Sequence, residues 1–391
     1  MQQNSKCSLN KRSLIKKRLR LKIKKGWIDL QQNRYIVLEN GQIFSGKPFG
    51  AAGDVLGEIV FTTGMTGYME TLTDPSYYGQ IVVQTFPLIG NYGIIPADFE
   101  STAPQVKAYI VREWCQFPSN FRSEGDIDTF LKLHNIVGVH DIDTRELTKI
   151  IREVGVMNAK ITSNLDNLDE IMTEIRNYKI TNAVQTVTAR EITVEKGTSD
   201  GYRVLLWDFG AKENIRRELL KRGCEVITVP AGMTAEEIVN LKPDGIMLSN
   251  GPGDPADNTG IIGELARLAN ANIPTYGICL GHQLLALSQG AETAKLKYGH
   301  RGANQPVKDM MTGRVYITTQ NHGYAVVNDS LPPQASLRFI NVNDGTCEGI
   351  EYHNMPAFST QFHPEASAGP LDTCYLFDRF MDLIKECSKC R

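Results

Sequence analysis

The sequence predicts an α/β protein, with a C-terminal doubly wound, mostly parallel sheet preceded by a smaller β-rich α+β domain. Three observations carry this reading. From residue 202 onward, continuous apolar strands alternate with short turns and amphipathic helices, the pattern of a parallel sheet covered on both faces. Residues 34–185 instead open with a hairpin and continue in short strand-like runs punctuated by glycine. Between the two lies "TVTAREITVEKGTSDG" (186–201), polar, turn-rich and without periodicity, which is the composition of a linker. A chain of 391 residues has room for two such cores.

The first 33 residues stand apart. From Met1 to Ile28 there is no Asp or Glu, whereas Lys6, Lys11, Arg12, Lys16, Lys17, Arg18, Arg20, Lys22, Lys24 and Lys25 crowd together. Such a segment repels itself and buries nothing, so it is expected to be a disordered basic extension. Basic segments poor in acid also serve as organellar targeting extensions, which favours a plastid stroma over the cytoplasm as the compartment. The whole chain carries a net charge of only −2, too weak a field to argue for a nucleic-acid partner. No run reaches the roughly 20 apolar residues of a membrane-spanning helix. The eight cysteines are scattered, consistent with reduced thiols, and Cys387 and Cys390 form a lone CxxC without the four ligands of a structural zinc.

In the first domain, "RYIVLENGQIFSGKPFG" turns at Asn40-Gly41, a pair that tolerates positive φ and marks a hairpin. The spacing of Gly41, Gly46 and Lys47 approaches a phosphate-binding loop, but Pro48 stands where Ser or Thr would hold magnesium, and no helix pattern follows. A turn is expected at Asp74-Pro75. "DTRELTKIIREVG" reads as a helix capped by Asp143 or Thr144 and ended by Gly155.

In the second domain, ligands of a parallel sheet gather beyond the carboxyl ends of its strands, here the loops after Phe209, Asn250 and Leu280. One of these corners, Gly277-Ile278-Cys279-Leu280-Gly281, has the form of a nucleophile elbow. A thiolate there faces unpaired helix N–H groups, so Cys279 is expected to be more acidic than a free cysteine. The competing reading of Cys279 is a small buried hydrophobe at a tight turn. Of the seven histidines, His363 in "QFHPEA" is followed two residues later by Glu365, and at strand spacing the two share a side. Cys279, His363 and Glu365 then read as nucleophile, base and orienting acid. "LSNGPGDP" lets backbone approach a ligand closely at Gly251 and Gly253, so the N–H groups of Gly251 and Leu280 are candidates for an oxyanion hole; the plainer reading is a turn.

Together "GICLGHQ", "SNGPGDP" and "QFHPEA" resemble the class I, triad-type glutamine amidotransferases, whose fold is flavodoxin-like. With "WDFGAKENI", "GHRGANQPV", "TTQNHGYAV" and "TGMTGYMETLTDPSYYGQIV" the resemblance narrows to the carbamoyl-phosphate synthetase small-subunit family and spans nearly everything from Tyr35 onward. It implies hydrolysis of glutamine through a Cys279 thioester, with His363 protonating departing ammonia. By motif match it places glutamine on Ser76, Gly251, Gly253, Leu280, Gln283, Asn321, Gly323 and Tyr324. It implies no cofactor or metal in this chain, ATP and Mg on a large synthetase subunit, and ammonia channelled to that partner to make carbamoyl phosphate for arginine or pyrimidine synthesis. The family often has Phe at the position of Tyr324 and His at that of Gln305. Two alternatives stand beside it: the amidotransferase of another biosynthetic enzyme, which would lack "MTGYMETLTDPSY", and a noncatalytic regulatory or binding subunit.

Overall fold

The computed structural model describes residues 33–198 and 201–389. The basic extension and the targeting reading based on it lie outside these residues, as does Cys390 of the C-terminal CxxC.

The first domain contributes β1 (Arg34–Leu38), β2 (Ile43–Gly50), β3 (Val55–Thr62), β4 (Gln80–Gln84), β5 (Leu88–Ile89), β6 (Ala108–Ile110), β7 (Glu113–Trp114), β8 (Val137–His140) and β9 (Met157–Thr162). All but the small β5–β7 pair close into a barrel in the order β1-β2-β8-β6-β4-β3-β9. The period of two sorts side chains to its two sides. Ile36, Leu38, Ile59, Phe61, Ile81, Val83, Val137, Val139, Ala159 and Ile161 share one buried cluster with Leu147 and Ile151 of the helix Thr144–Val154. The alternate set, including Val60, Val82 and Tyr109, packs with Tyr68, Leu72, Ile127 and Leu131 of two covering helices. The Asn40-Gly41 hairpin joins β1 to β2 with Gly41 at φ 85°. Lys47 lies within β2, paired to His140.

The second domain forms one sheet from β10 (Thr193–Lys196), β11 (Arg203–Asp208), β12 (Glu225–Pro230), β13 (Gly245–Leu248), β14 (Thr275–Ile278), β15 (Thr293–Asp309), β16 (Val315–Val326), β17 (Ala335–Asn341), β18 (Cys347–Tyr352) and β19 (Ala357–Thr360), in the order β10-β12-β11-β13-β14-β19-β18-β17-β15-β16. The block β12-β11-β13-β14-β19 is parallel, and antiparallel strands extend it on both sides. Leu205, Trp207, Ile246 and Leu248 face one set of helices, whereas Val204, Leu206, Met247 and Tyr276 face the helices Glu213–Lys221 and Tyr375–Ser388. The two faces are therefore both covered, as the continuous apolar strands require.

The expected linker at 186–201 needs correction. Its residues Thr193–Lys196 are β10, paired antiparallel to β12 at the sheet edge, with all four side chains exposed. An edge strand that pairs only through its backbone buries no side chain, here Thr193, Val194, Glu195 or Lys196, and so it lacks an apolar pattern and reads as a linker.

Candidate active site

Within the parallel block the chain passes from β11 outward to β12 and then back across to β13, so a topological switch lies between β11 and β13. The carboxyl ends of β11, β13, β14 and β19 open on this side, and the first domain reaches over them. Asn250 Nδ2, after β13, donates to Ser76 Oγ of the first domain at 2.9 Å.

Cys279 follows β14 directly and is the N-cap of the helix Leu280–Ser288, at φ 53° and ψ −102°. Positive φ at a residue with a side chain is strained by about 1–3 kcal/mol and persists only where its surroundings impose it. Here they do: Cys279 N–H donates to Thr360 O at 2.8 Å, and Gly281 N–H to Ser249 O at 3.0 Å. The flanking glycines serve by close approach. A Cβ on Gly281 would lie 2.4 Å from Leu248 O, and one on Gly277 would lie 2.8 Å from Gly281 O.

Strand β19 pairs with β14, Ile278 opposite Thr360, so residues just past β19 are brought beside the elbow. His363 is one of them, its backbone N–H held by Thr319 O at 2.9 Å. Its Nδ1 lies 2.7 Å from Glu365 Oε1, and its Nε2 is buried without a hydrogen-bond partner among the described residues. The i and i+2 spacing thus does join these two side chains. No hydrogen bond links Nε2 to the sulfur in this resting state; Cys279 Sγ donates to Asn321 O at 3.7 Å and accepts from Gln361 Nε2 at 3.5 Å. Such contacts commonly tighten only when substrate binds.

The expectation of an acidic thiol is overturned. Burial pushes Cys279 up to about 12, Asp74 and Glu365 push the same way, and Lys212 and the Leu280 N–H offset only part of this. A helix N-terminus stabilises a thiolate by its first few N–H groups, whereas burial strips away all of its water. Burial therefore favours the protonated sulfur over the thiolate in this site.

Sequence reasoning missed the charges behind the triad. Lys212 Nζ, itself buried, lies 3.2 Å from Glu365 Oε1. Burial opposes the ammonium, but Glu365, Asp74 and Glu100 outweigh it and hold Lys212 charged. Burial would likewise raise Glu365, yet Lys212 and His363 pull it down to about 2. Two of the surrounding acids come from the first domain. Asp74 accepts from Ser76 N–H at 2.9 Å and from Asn321 Nδ2 at 3.0 Å. Glu100 caps the helix Glu213–Lys221 from across the domain boundary: its carbonyl accepts from Glu213 N–H at 2.9 Å and its carboxylate from Asn214 N–H at 3.0 Å. Burial pushes Glu100 up to about 8 in spite of Lys212. The available signal was a lysine at the end of an apolar strand, in "FGAKEN".

A cavity of about 300 Å³ opens onto Cys279, small for a ligand site and suited to a small molecule. Of the eight residues matched to glutamine, Ser76, Gly251, Gly253, Gln283, Asn321, Gly323 and Tyr324 line it. The Leu280 side chain does not; it packs beneath Gly251, where a Cβ would lie 2.7 Å from Leu280 Cδ2. Gln283 Nε2 is fixed by Tyr324 O at 2.7 Å and Gln361 Oε1 at 2.8 Å. His282, in the elbow helix, is committed to Ser359 Oγ at 2.8 Å, and burial pushes it down to about 3.

A family model described as the carbamoyl-phosphate synthase small chain, CPSase domain, matches residues 36–161, which are the barrel. A second, described as glutamine amidotransferase class-I, matches residues 205–383, which contain the elbow and the triad. The carbamoyl phosphate synthase small chain of Clostridium perfringens is 49% identical over 346 residues, covering 88% of this chain and 98% of its own. The carbamoyl phosphate synthase pyrimidine-specific small chain of Bacillus subtilis is 49% identical over 357 residues, covering 91% and 97%. Both domains, in the same order and over almost the full length of these relatives, are thus accounted for, and the chain belongs to the carbamoyl-phosphate synthase small-chain family.

Proposed function

We propose that this chain is the glutamine-hydrolysing subunit of a carbamoyl-phosphate synthase, with Cys279, His363 and Glu365 as its catalytic triad. The observation that carries the reading is the elbow thiol lining a small cavity, with an imidazole just past the strand paired to the elbow's own strand and already oriented by a buried carboxylate. Glutamine enters with its side-chain amide at Cys279, held by Ser76, Gly251, Gly253, Gln283, Asn321, Gly323 and Tyr324. The thiol proton passes to His363 Nε2 as Sγ bonds to the amide carbon. Negative charge develops on the amide oxygen, where the N–H groups of Gly251 and Leu280 stabilise it. His363 returns the proton to the departing nitrogen, the C–N bond breaks, and ammonia leaves a γ-glutamyl thioester on Cys279. Water, deprotonated by His363, then cleaves the thioester to glutamate and restores the thiol.

Ammonia released into water would be protonated and lost as a nucleophile, so it is handed to a large synthetase subunit, where ATP with Mg and bicarbonate complete carbamoyl phosphate. A second cavity of about 70 Å³ supports an internal exit. It shares Asn321 with the glutamine cavity and is lined by Asp74, Lys212, Gly302 and Thr319 between the two domains. The test is glutaminase assay of the wild-type chain and of Cys279→Ser, with and without the co-purified large subunit. Glutamate production abolished by the substitution, and carbamoyl phosphate made from glutamine only in the complex, are the expected results. A chain that binds the large subunit but never hydrolyses glutamine would make it a regulatory subunit instead.

A further inference from the structure

The glutamine cavity contains a cation that the triad chemistry does not use. Arg301 sits in β15 directly opposite Asn321 of β16, so the two side chains leave the same face of the sheet, and both line the cavity. Arg301 is only 5% exposed, and among the described residues no carboxylate forms an ion pair with it. One guanidinium nitrogen, Nη1, is occupied by Tyr298 O at 2.6 Å, and Nε is buried with no hydrogen-bond partner among the described residues. Burial pulls the guanidinium pKa down, with only partial relief from Tyr77, Glu58 and Cys279.

Arginine does not escape such a position by losing its proton, and a buried cation without a counter-charge is costly. Its remaining donors form a planar fork that matches a carboxylate. The fork lies against the substrate's backbone-lined wall: a Cβ on Gly323 would be 3.2 Å from Nη2, so a side chain at that position would crowd it. The opposite charge is also present. Glu58 and Asp254 line the same cavity, with Glu58 held by Lys295 Nζ at 2.7 Å and Gln80 Nε2 at 2.9 Å. A zwitterionic α-amino acid whose amide reaches Cys279 would present its α-carboxylate and α-ammonium to this charged wall.

We propose that Arg301 recognises the α-carboxylate of the substrate and thereby selects a free α-amino acid over other primary amides. This rests on the glutaminase reading of Cys279 and adds the substrate feature that the cavity reads. It also explains why a buried arginine is tolerated here without an acidic partner: the substrate supplies one.

The experiment compares wild type and Arg301→Gln, in complex with the large subunit, on glutamine and on 4-aminobutanamide, which is glutamine without its α-carboxylate. The expected loss in kcat/KM for glutamine is roughly 10- to 100-fold, the worth of a charge-assisted hydrogen bond, and it falls on KM with kcat little changed. On 4-aminobutanamide the two proteins should be equal, so the preference for glutamine collapses in the variant. Arg301→Lys, which keeps the charge but not the fork, should fall between them, and it replaces Arg301→Gln if that variant does not fold. An unchanged preference, or an equal loss on both amides, would overturn the assignment. A wild-type complex that hydrolyses no glutamine would instead sink the glutaminase reading, and this one with it.

Discussion

Lys212 Nζ and His363 Nδ1 meet on a single oxygen, Glu365 Oε1, at 3.2 and 2.7 Å. The acid that orients the base is therefore shared between the imidazole and a fixed ammonium. Lys212→Met removes the largest influence holding Glu365 down, and burial then drives its pKa up from about 2. A carboxyl that protonates in the working range no longer orients His363. The acid limb of the kcat/KM profile for glutamine should move to higher pH, with kcat near neutrality lower by about tenfold or more. A profile superimposable on wild type would show that Lys212 serves only the fold.

The buried thiol sets a second expectation. With Cys279 pushed up to about 12, its thiolate fraction rises about tenfold per pH unit through the neutral range but stays very small in the resting chain. Iodoacetamide at pH 7.5 should therefore label Cys279 no faster than the partly exposed Cys115. A glutamine-shaped chloromethyl ketone, which fills the cavity and places its reactive carbon at the sulfur, should label Cys279 selectively. Peptide mass spectrometry of the two reactions decides the matter; rapid labelling by iodoacetamide would mean the resting sulfur is already ionised.

These two results also mark what the sequence could and could not convey. The elbow was legible because a strand-to-helix corner needs small residues at fixed spacing, and Gly277 and Gly281 supply them. His363 with Glu365 was legible because both lie within one short segment. Lys212, Asp74 and Glu100 were not, because each has a local excuse: a lysine before a helix, an acid before Pro75, an acid in a loop. Their convergence depends on how the barrel docks over the sheet, which no local pattern records. The barrel's closure is hidden for the same reason, since β1 meets β9 through Tyr35 and Thr162 at opposite ends of the domain. The thiol's acidity was misjudged because the helix terminus is visible in sequence whereas burial is not.

Tight packing at the elbow predicts an effect on stability as well as rate. A methyl group on Gly281 would meet Leu248 O at 2.4 Å and Leu248 Cβ at 2.7 Å, neither of which is a flexible side-chain end. Gly281→Ala should destabilise the chain by about 1–3 kcal/mol, as overpacked cores do, and lower glutaminase kcat by displacing Cys279. Thermal melts alongside kinetics test this. By contrast Gly263→Ala, in the exposed part of the helix Thr259–Leu268 where a Cβ meets nothing within 4 Å, should stabilise slightly.

A last prediction follows from the buried group behind Tyr324. His322 Nδ1 donates to Tyr324 O at 2.7 Å, and behind it His300 lies between two acids, with Nε2 2.8 Å from Asp344 Oδ2 and Nδ1 3.4 Å from Glu348 Oε1. Burial lowers the His300 pKa, but Glu348 and Asp344 outweigh it and the net shift is upward, whereas burial drives His322 down. Glu348, fully buried, is raised by burial against the pull of His300. A histidine raised in the folded state contributes stability that is complete below its unfolded value of about 6.5 and is lost as pH rises through the folded value. The stability advantage of wild type over His300→Asn should therefore be largest near pH 6 and shrink by pH 9, measured by urea unfolding at both. An advantage that grows with pH would mean that His300 is neutral in the fold and that Glu348 draws its compensation from Asn341, whose Nδ2 lies 3.2 Å from its Oε1.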